Sequence, residues 1–176
     1  MEVKDNFLDD IDLRQLDELI NDSHFAWYLQ KEQVTGANDG YLFSHLFYYR
    51  DQPTSDLYDP VIKIFKNKIE YVSLCRMSVN LLLKQENPNK SNFHVDYKKN
   101  NKKITTAIFY LNTNNGSTEF ENGDKIDCVK NRIVMFPTNT FHRAIGQTDV
   151  MERIVFNFNF ISDSFDLFRS LKFISN

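Results

Sequence analysis

The fold class this sequence predicts is mainly β with flanking helices: a double-stranded β-helix, or jelly roll, with N-terminal helices packed on one sheet. Three observations point there. Residues 71–160 break into short runs rich in Val, Ile, Phe, Tyr and Thr, punctuated by Asn, Gly, Pro and Lys. Eight such runs can be counted, enough for two antiparallel sheets that face each other across a pocket. The segments on either side instead space their apolar residues as helices do. With 176 residues the chain can bury one substantial core but not two comfortable ones, so a single domain over 1–176 is expected. Its parts would be a helical N-terminal portion (1–70), a jelly-roll core (71–160) and a closing helix (163–173).

Taken in order, residues 7–34 mix Phe7, Leu8, Ile11, Leu16, Leu19 and Ile20 with many acids, the pattern of one or two amphipathic helices capped by Asp9 or Asp10. Gly36 and Gly40 interrupt, and an aromatic-rich connection with Tyr41, Phe43, Phe47, Tyr48 and Tyr49 follows. These rings and Trp27 are expected to pack between the helices and the major sheet. Asp59-Pro60 then opens a helix to about residue 68, with Val61, Ile64 and Phe65 on one face and Pro60 in a helix-compatible first turn. The strand candidates are 73–83, 92–96, 104–111, 117–121, 125–129, 132–136, 141–145 and 153–160. Asn115-Gly116 and Asn122-Gly123 fall between consecutive candidates, where Asn-Gly favours tight hairpin turns. Phe165, Leu167, Phe168, Leu171 and Phe173 suggest the closing helix.

Bulk properties exclude several classes. Sixteen Phe and eight Tyr supply core material, which argues against disorder. A net charge of −3 argues against a dedicated nucleic-acid binder, and one local feature points the other way: the basic loop of Lys98, Lys99, Lys102 and Lys103. That loop reads either as a solvated hairpin tip or as a pocket-mouth patch that draws in an acidic peptide or nucleotide. Two cysteines, Cys75 and Cys128, sit among apolar neighbours and read as small core residues. With no basic start and apolar run at the N-terminus and no apolar stretch of membrane-spanning length, a soluble cytoplasmic protein is expected.

The chemistry-bearing constellation is His94, Asp96 and His142. In a strand, residues two apart share a face, so His94 and Asp96 would project together while Val95 points away. His142 lies on the seventh candidate strand, which neighbours the second in a jelly roll, so the three would converge. Two neutral imidazoles and a carboxylate can hold Fe(II) on one face and leave other positions open. His24 and His45 lack acidic or cysteine companions at ligand spacing. On the last strand, alternation puts Arg153, Val155, Asn157 and Asn159 on one face and Ile154, Phe156, Phe158 and Phe160 on the other. An arginine and two asparagines aligned on an otherwise apolar strand imply either a polar cavity or a solvent face.

His94-x-Asp96, His142 and Arg153, with Thr106-Ala107-Ile108-Phe109-Tyr110-Leu111-Asn112 between them, resemble the Fe(II)- and 2-oxoglutarate-dependent dioxygenases, specifically the prolyl 4-hydroxylase-like branch of this cupin-like fold. The similarity spans about residues 74–160. The resemblance implies Fe(II) held by His94, Asp96 and His142, with 2-oxoglutarate as cosubstrate, O2 as oxidant and ascorbate as a candidate reductant. Arg153 and Tyr110 would receive the remote carboxylate of 2-oxoglutarate. The activity implied is hydroxylation of a C–H bond coupled to oxidative decarboxylation of the cosubstrate. Two departures stand out. A first-strand tyrosine of the prolyl hydroxylases is replaced by Leu82, with Asn80 as the nearby candidate for the lost cosubstrate contact. The interval from His142 to Arg153 is slightly longer than usual, so the loop at Gly146-Gln147-Thr148-Asp149 is expected to bulge. Asn157, Asn159 and Tyr97 are the candidate substrate-pocket residues, and Asn159 stands where hypoxia-sensing members carry a large aromatic. The resemblance favours a prolyl residue in a protein or peptide as substrate, with a free amino acid, nucleobase or small metabolite as the alternatives. A non-catalytic jelly-roll binding module is the other reading. Retention of all three metal-ligand candidates and the arginine favours the enzyme.

Overall fold

A computed structural model describes residues 1–37, 39–97 and 104–162. Along the chain run β1 (Glu2–Lys4), α1 (Asp10–Ile20), β2 (Tyr28–Gln30), β3 (Leu42–Tyr49), β4 (Gln52–Pro53), α2 (Tyr58–Lys66) and β5 (Ser73–Leu83). There follow β6 (Ile104–Tyr110), β7 (Ser117–Phe120), β8 (Lys125–Asp127), β9 (Arg132–Pro137), β10 (His142–Ile145) and β11 (Glu152–Ile161). The large antiparallel sheet has the order β1-β9-β6-β11-β5-β3-β2, with β4 hanging on β3, and a small sheet has the order β10-β7-β8. The described helices include none long and apolar enough to cross a membrane.

The two faces of the large sheet follow from the alternation along its central strands. On one face Met77, Val79, Ala107, Phe109, Ile154, Phe156 and Phe158 meet the helices in one apolar cluster. Helix α2 inserts Phe65 there, with ring centroids 5.4 Å from Phe109 and 4.7 Å from Phe158. Asp9 caps helix α1: its carboxylate accepts the backbone N–H of Asp12 and so satisfies a donor that the first turn leaves free. Its other oxygen reaches Lys68 Nζ at 3.2 Å, just past the end of α2. On the opposite face, Ile108, Tyr110, Val134, Phe136 and Val155 pack against Phe120 and Cys128 from the segment that carries the small sheet. The space between the sheets is therefore filled at that end.

The sequence reading needs correction in four places. Residues 1–70 hold two helices but also four strands; of the one or two helices expected over 7–34 there is one, α1, and the edge strand β2 follows it. The aromatic segment at 41–49 is no connection: it is β3, paired with β5 from Phe43↔Leu81 to Tyr49↔Arg76. Its alternation was masked because both faces carry rings, so period two is invisible in hydrophobicity alone. Residues 92–96 form no laddered strand; His94 makes an isolated antiparallel bridge to His142, with both backbone bonds at 3.0 Å. Asn115-Gly116 is no hairpin tip, since β6 lies in the large sheet and β7 in the small one. Gly116 is needed there for space: a Cβ would lie 2.8 Å from Asn114 Oδ1 and from the Ile145 carbonyl, and 3.1 Å from Arg153 Cδ. Asn122-Gly123 does turn the β7–β8 hairpin, with Gly123 at φ +91°. The expected closing helix (163–173) and the Lys98–Lys103 loop lie outside the described residues.

Candidate metal centre and its cavity

Side-chain ligand atoms of His94, Asp96 and His142 all lie within 4.8 Å of one another. Asp96 Oδ1 is 3.7 Å from His94 Nε2 and 3.8 Å from His142 Nε2. The imidazoles are oriented by the same local device. His94 Nδ1 donates to the carbonyl of Asn92 at 3.1 Å, and His142 Nδ1 donates to the carbonyl of Thr140 at 3.0 Å. With Nδ1 protonated, each ring presents the Nε2 lone pair to the common centre, the arrangement that metal-binding histidines use. Asp96 is held from behind: Thr106 Oγ1 and Asn159 Nδ2 both donate to Oδ2 at 2.8 Å, leaving Oδ1 facing the histidines. Burial pushes the Asp96 pKa up, but the His142 ring and the bonds from Asn159 and Thr106 more than offset it, so the carboxylate is held below its usual range. For His142, burial dominates and lowers the pKa, which favours the neutral ring that a metal requires.

These groups open into a cavity of about 1000 Å³ between the sheets. Arg153 lies on its wall and is 2% exposed. Its Nε donates to Cys128 Sγ at 3.0 Å and a terminal nitrogen to the Ser117 carbonyl at 3.4 Å. Burial raises the Cys128 pKa, so the sulfur is a neutral thiol and does not cancel the charge. Among the described residues no carboxylate pairs with Arg153. A buried guanidinium without an acid is costly unless an anion arrives to meet its remaining donors.

Other singled-out residues divide between the wall and the layer behind it. Asn80, Asn157 and Tyr97 line the cavity. The Asn80 Oδ1 is buried without a hydrogen-bond partner, an acceptor left unsatisfied beside the space. Leu82, opposite Arg153 in the β5–β11 register, also lines it. Tyr110 and Asn159 are not on the wall. The Tyr110 ring lies 5.8 Å from the Arg153 guanidinium, and its hydroxyl donates to Thr118 Oγ1 at 2.8 Å. Burial pushes the phenol far above its usual range, so it stays a donor. Thr118 lines the cavity, and its hydroxyl, which accepts from Tyr110, keeps its own proton to donate. Asn159 acts behind Asp96. Sequence reasoning assigned no site role to Thr106, Thr118 or Gly116, and none to Arg76 although an arginine in an apolar run at 73–83 was a visible signal. The loop after β10 is pinned rather than loose: Gln147 Nε2 donates to the Leu82 carbonyl at 2.9 Å, and Asn115 N–H donates to Asp149 at 3.0 Å.

No protein-family model matches the sequence, and no curated protein matches it. Solved structures do. An oxidoreductase of the 2OG-Fe(II) oxygenase family from Burkholderia pseudomallei superposes with a TM-score of 0.63 at 12% identity, over 89% of this chain and 82% of that one. This is the fold of the 2-oxoglutarate oxygenases. A Pseudomonas putida prolyl-4-hydroxylase is similar with a TM-score of 0.59 at 12% identity, over 92% of this chain and 91% of that one. A Trichoplax adhaerens prolyl hydroxylase, solved in complex with a hypoxia inducible factor peptide fragment, gives 0.59 at 15% identity, over 91% and 83%. At such identities the likeness to these oxygenases is one of fold, and the chemistry must be argued from the side chains.

Proposed function

We propose that this protein is an Fe(II)- and 2-oxoglutarate-dependent dioxygenase that hydroxylates a C–H bond. The observation that carries this reading is a two-part cavity: a His-Asp-His cluster, and on the same wall a buried arginine without an acid partner among the described residues. Either part alone has ordinary explanations; together they match a metal and a dicarboxylate. The donor set suits Fe(II), since two imidazoles and one carboxylate leave several coordination positions for other ligands. When bound, Fe(II) and 2-oxoglutarate supply the activation of O2, with oxidative decarboxylation to succinate and CO2 providing two of the electrons.

The chain's own residues then have distinct tasks. His94, Asp96 and His142 hold the metal, and the carbonyls of Asn92 and Thr140 fix the imidazole tautomers. Thr106 and Asn159 stop the carboxylate from rotating. Arg153 offers a forked pair of donors to the distal carboxylate of the cosubstrate. Thr118, backed by Tyr110, adds a hydroxyl from the same side. Asn80 and Leu82 border the space where the cosubstrate would lie, and Leu82 excludes water there without donating a hydrogen bond. Asn157 and Tyr97 face the rest of the cavity, where the substrate would enter. A peptide, with a prolyl residue as the first candidate, or a small molecule is the substrate range supported by fold neighbours. These include a peptide-bound prolyl hydroxylase and a non-heme alpha-ketoglutarate dependent epimerase.

The test is anaerobic loading with Fe(II), then admission of O2 and 2-oxoglutarate with succinate measured over time. One metal per chain and succinate formation are expected, both lost in His94→Ala. A wild-type chain that binds no Fe(II), or that forms no succinate with any peptide, nucleic-acid or metabolite pool, would sink the proposal.

A further inference from the structure

The described cavity wall carries three arginines, Arg76, Arg143 and Arg153, and a single acid, Asp96. Two of the arginines are committed. Arg143 donates through Nε to Glu119 Oε2 at 2.6 Å and lies 4.2 Å from the centroid of the Phe93 ring. Arg153 is the cosubstrate cation in the reading above, on which the present inference rests. Arg76 has no ion pair among the described residues.

Its position separates it from the cosubstrate. Arg76 and Leu82 lie on the same face of β5 at even spacing, and the register sets Leu82 against Arg153 but Arg76 against Asn159. Those positions are six residues apart, roughly 20 Å of strand. Arg76 thus stands at the end of the wall where Asn159 holds Asp96, and it lines the same cavity as Tyr97 and Asn157. Charge bookkeeping points the same way. Fe(II) and dianionic 2-oxoglutarate cancel, Arg153 cancels Asp96, and Glu119, outside the lining, cancels Arg143, so the charge left over on the described wall is that of Arg76. A partly buried cation with no acid to pair it among the described residues favours a monoanion.

We propose that Arg76 is the recognition cation for the substrate, and that the substrate carries a carboxylate which Arg76 receives while Asn157 and Tyr97 flank it. A single guanidinium fork matches one carboxylate, whether from an acidic side chain or C-terminus of a peptide or from a free amino acid.

The experiment uses the Fe(II)-loaded full chain with 2-oxoglutarate and paired probes. Proline-containing peptides differ only as Glu against Gln or as free against amidated C-terminus, and free amino acids are set against their amides. Succinate release above the probe-free rate is measured for each. The carboxylate member of at least one pair is expected to exceed its amide by about tenfold or more in kcat/KM, corresponding to about 1.4 kcal/mol. Arg76→Gln should bring this ratio close to one, and Arg76→Lys should leave an intermediate ratio. Because the ratio is internal to each variant, differences in folding yield or probe-free rate cancel. Which pair responds tells a peptide from a free amino acid. The inference is overturned by a ratio near one in the wild type for every pair, by a ratio that survives Arg76→Gln, or by stimulation from a mononucleotide alone. Probe-free succinate formation reports separately on the oxygenase reading; its complete absence together with absence of any stimulation overturns both.

Discussion

The two faces of strand β11 show how one stretch of chain can answer two demands. Ile154, Phe156, Phe158 and Phe160 point to the helices and are buried among rings, with Phe156 within 6.3 Å of Phe47, Phe65, Phe109 and Phe158. Arg153, Asn157 and Asn159 point the other way, toward the cavity and the residues that hold Asp96. The helix side is apolar throughout and stabilises by burial. Among the described residues the cavity side keeps a cation without an acid and an Asn80 side-chain carbonyl without a donor, arrangements that cost stability and persist where a ligand completes them. Stability and chemistry are thus sorted by residue parity.

Breaking the helix side should have the largest effect. Phe156→Ala is expected to lower the unfolding free energy by about 3–5 kcal/mol in urea titration, through lost contacts and the cavity left behind. Metal affinity of the molecules that remain folded should be retained; a combined loss would show that the faces are not separable. On the other side, Asn159→Ala removes one of two bonds to Asp96 Oδ2. Metal affinity is expected to fall roughly 10–100-fold in a competition titration with a chromophoric chelator. An unchanged affinity would mean that Thr106 alone suffices.

Gly116→Ala tests the boundary between the two demands. Its Cβ would press on the Ile145 carbonyl and Arg153 Cδ, so a loss of about 1–3 kcal/mol in stability is expected, together with a higher KM for 2-oxoglutarate. A stability loss with no change in that KM would detach Gly116 from the arginine. The smallest effect concerns pH in the metal-free protein. Burial lowers the His142 pKa, so the folded state keeps the ring neutral while the unfolded chain takes up a proton. Stability should therefore fall as pH drops through the ordinary histidine value of about 6.5. The Asp96 contribution has the same sign at lower pH, because its pKa is depressed and its stabilisation is lost only as pH falls through the folded value. Urea midpoints at pH 7.5 and 5.5 should differ in the wild type and converge in His142→Asn.

Much of the architecture could be read directly. The candidate strand at 73–83 coincides with β5, and 153–160 lies within β11, because both show alternation between unlike faces. β3 escaped because aromatic residues stand on both of its faces, and 92–96 was over-read because a His-x-Asp pair suggests a strand even where a single bridge positions it. In the site, residue type identified His94, Asp96, His142 and Arg153 as chemistry-bearing. It could not identify Thr106 or Thr118, since a threonine in a strand is ordinary until its hydroxyl is seen to meet a carboxylate or a phenol.

What the sequence determined by itself was therefore local: which residues alternate, which are able to bind a metal, and that an arginine opens the last strand. Those properties depend on side-chain chemistry and on the two-residue period of a strand, both present in any short window. Only the tertiary structure decided that Arg153 is buried with no acid partner among the described residues, that Tyr110 backs the cavity-lining Thr118, and that Arg76 stands at the opposite end of the wall. These depend on register between strands distant in sequence and on the sum of charges around a shared space. No window along the chain contains either.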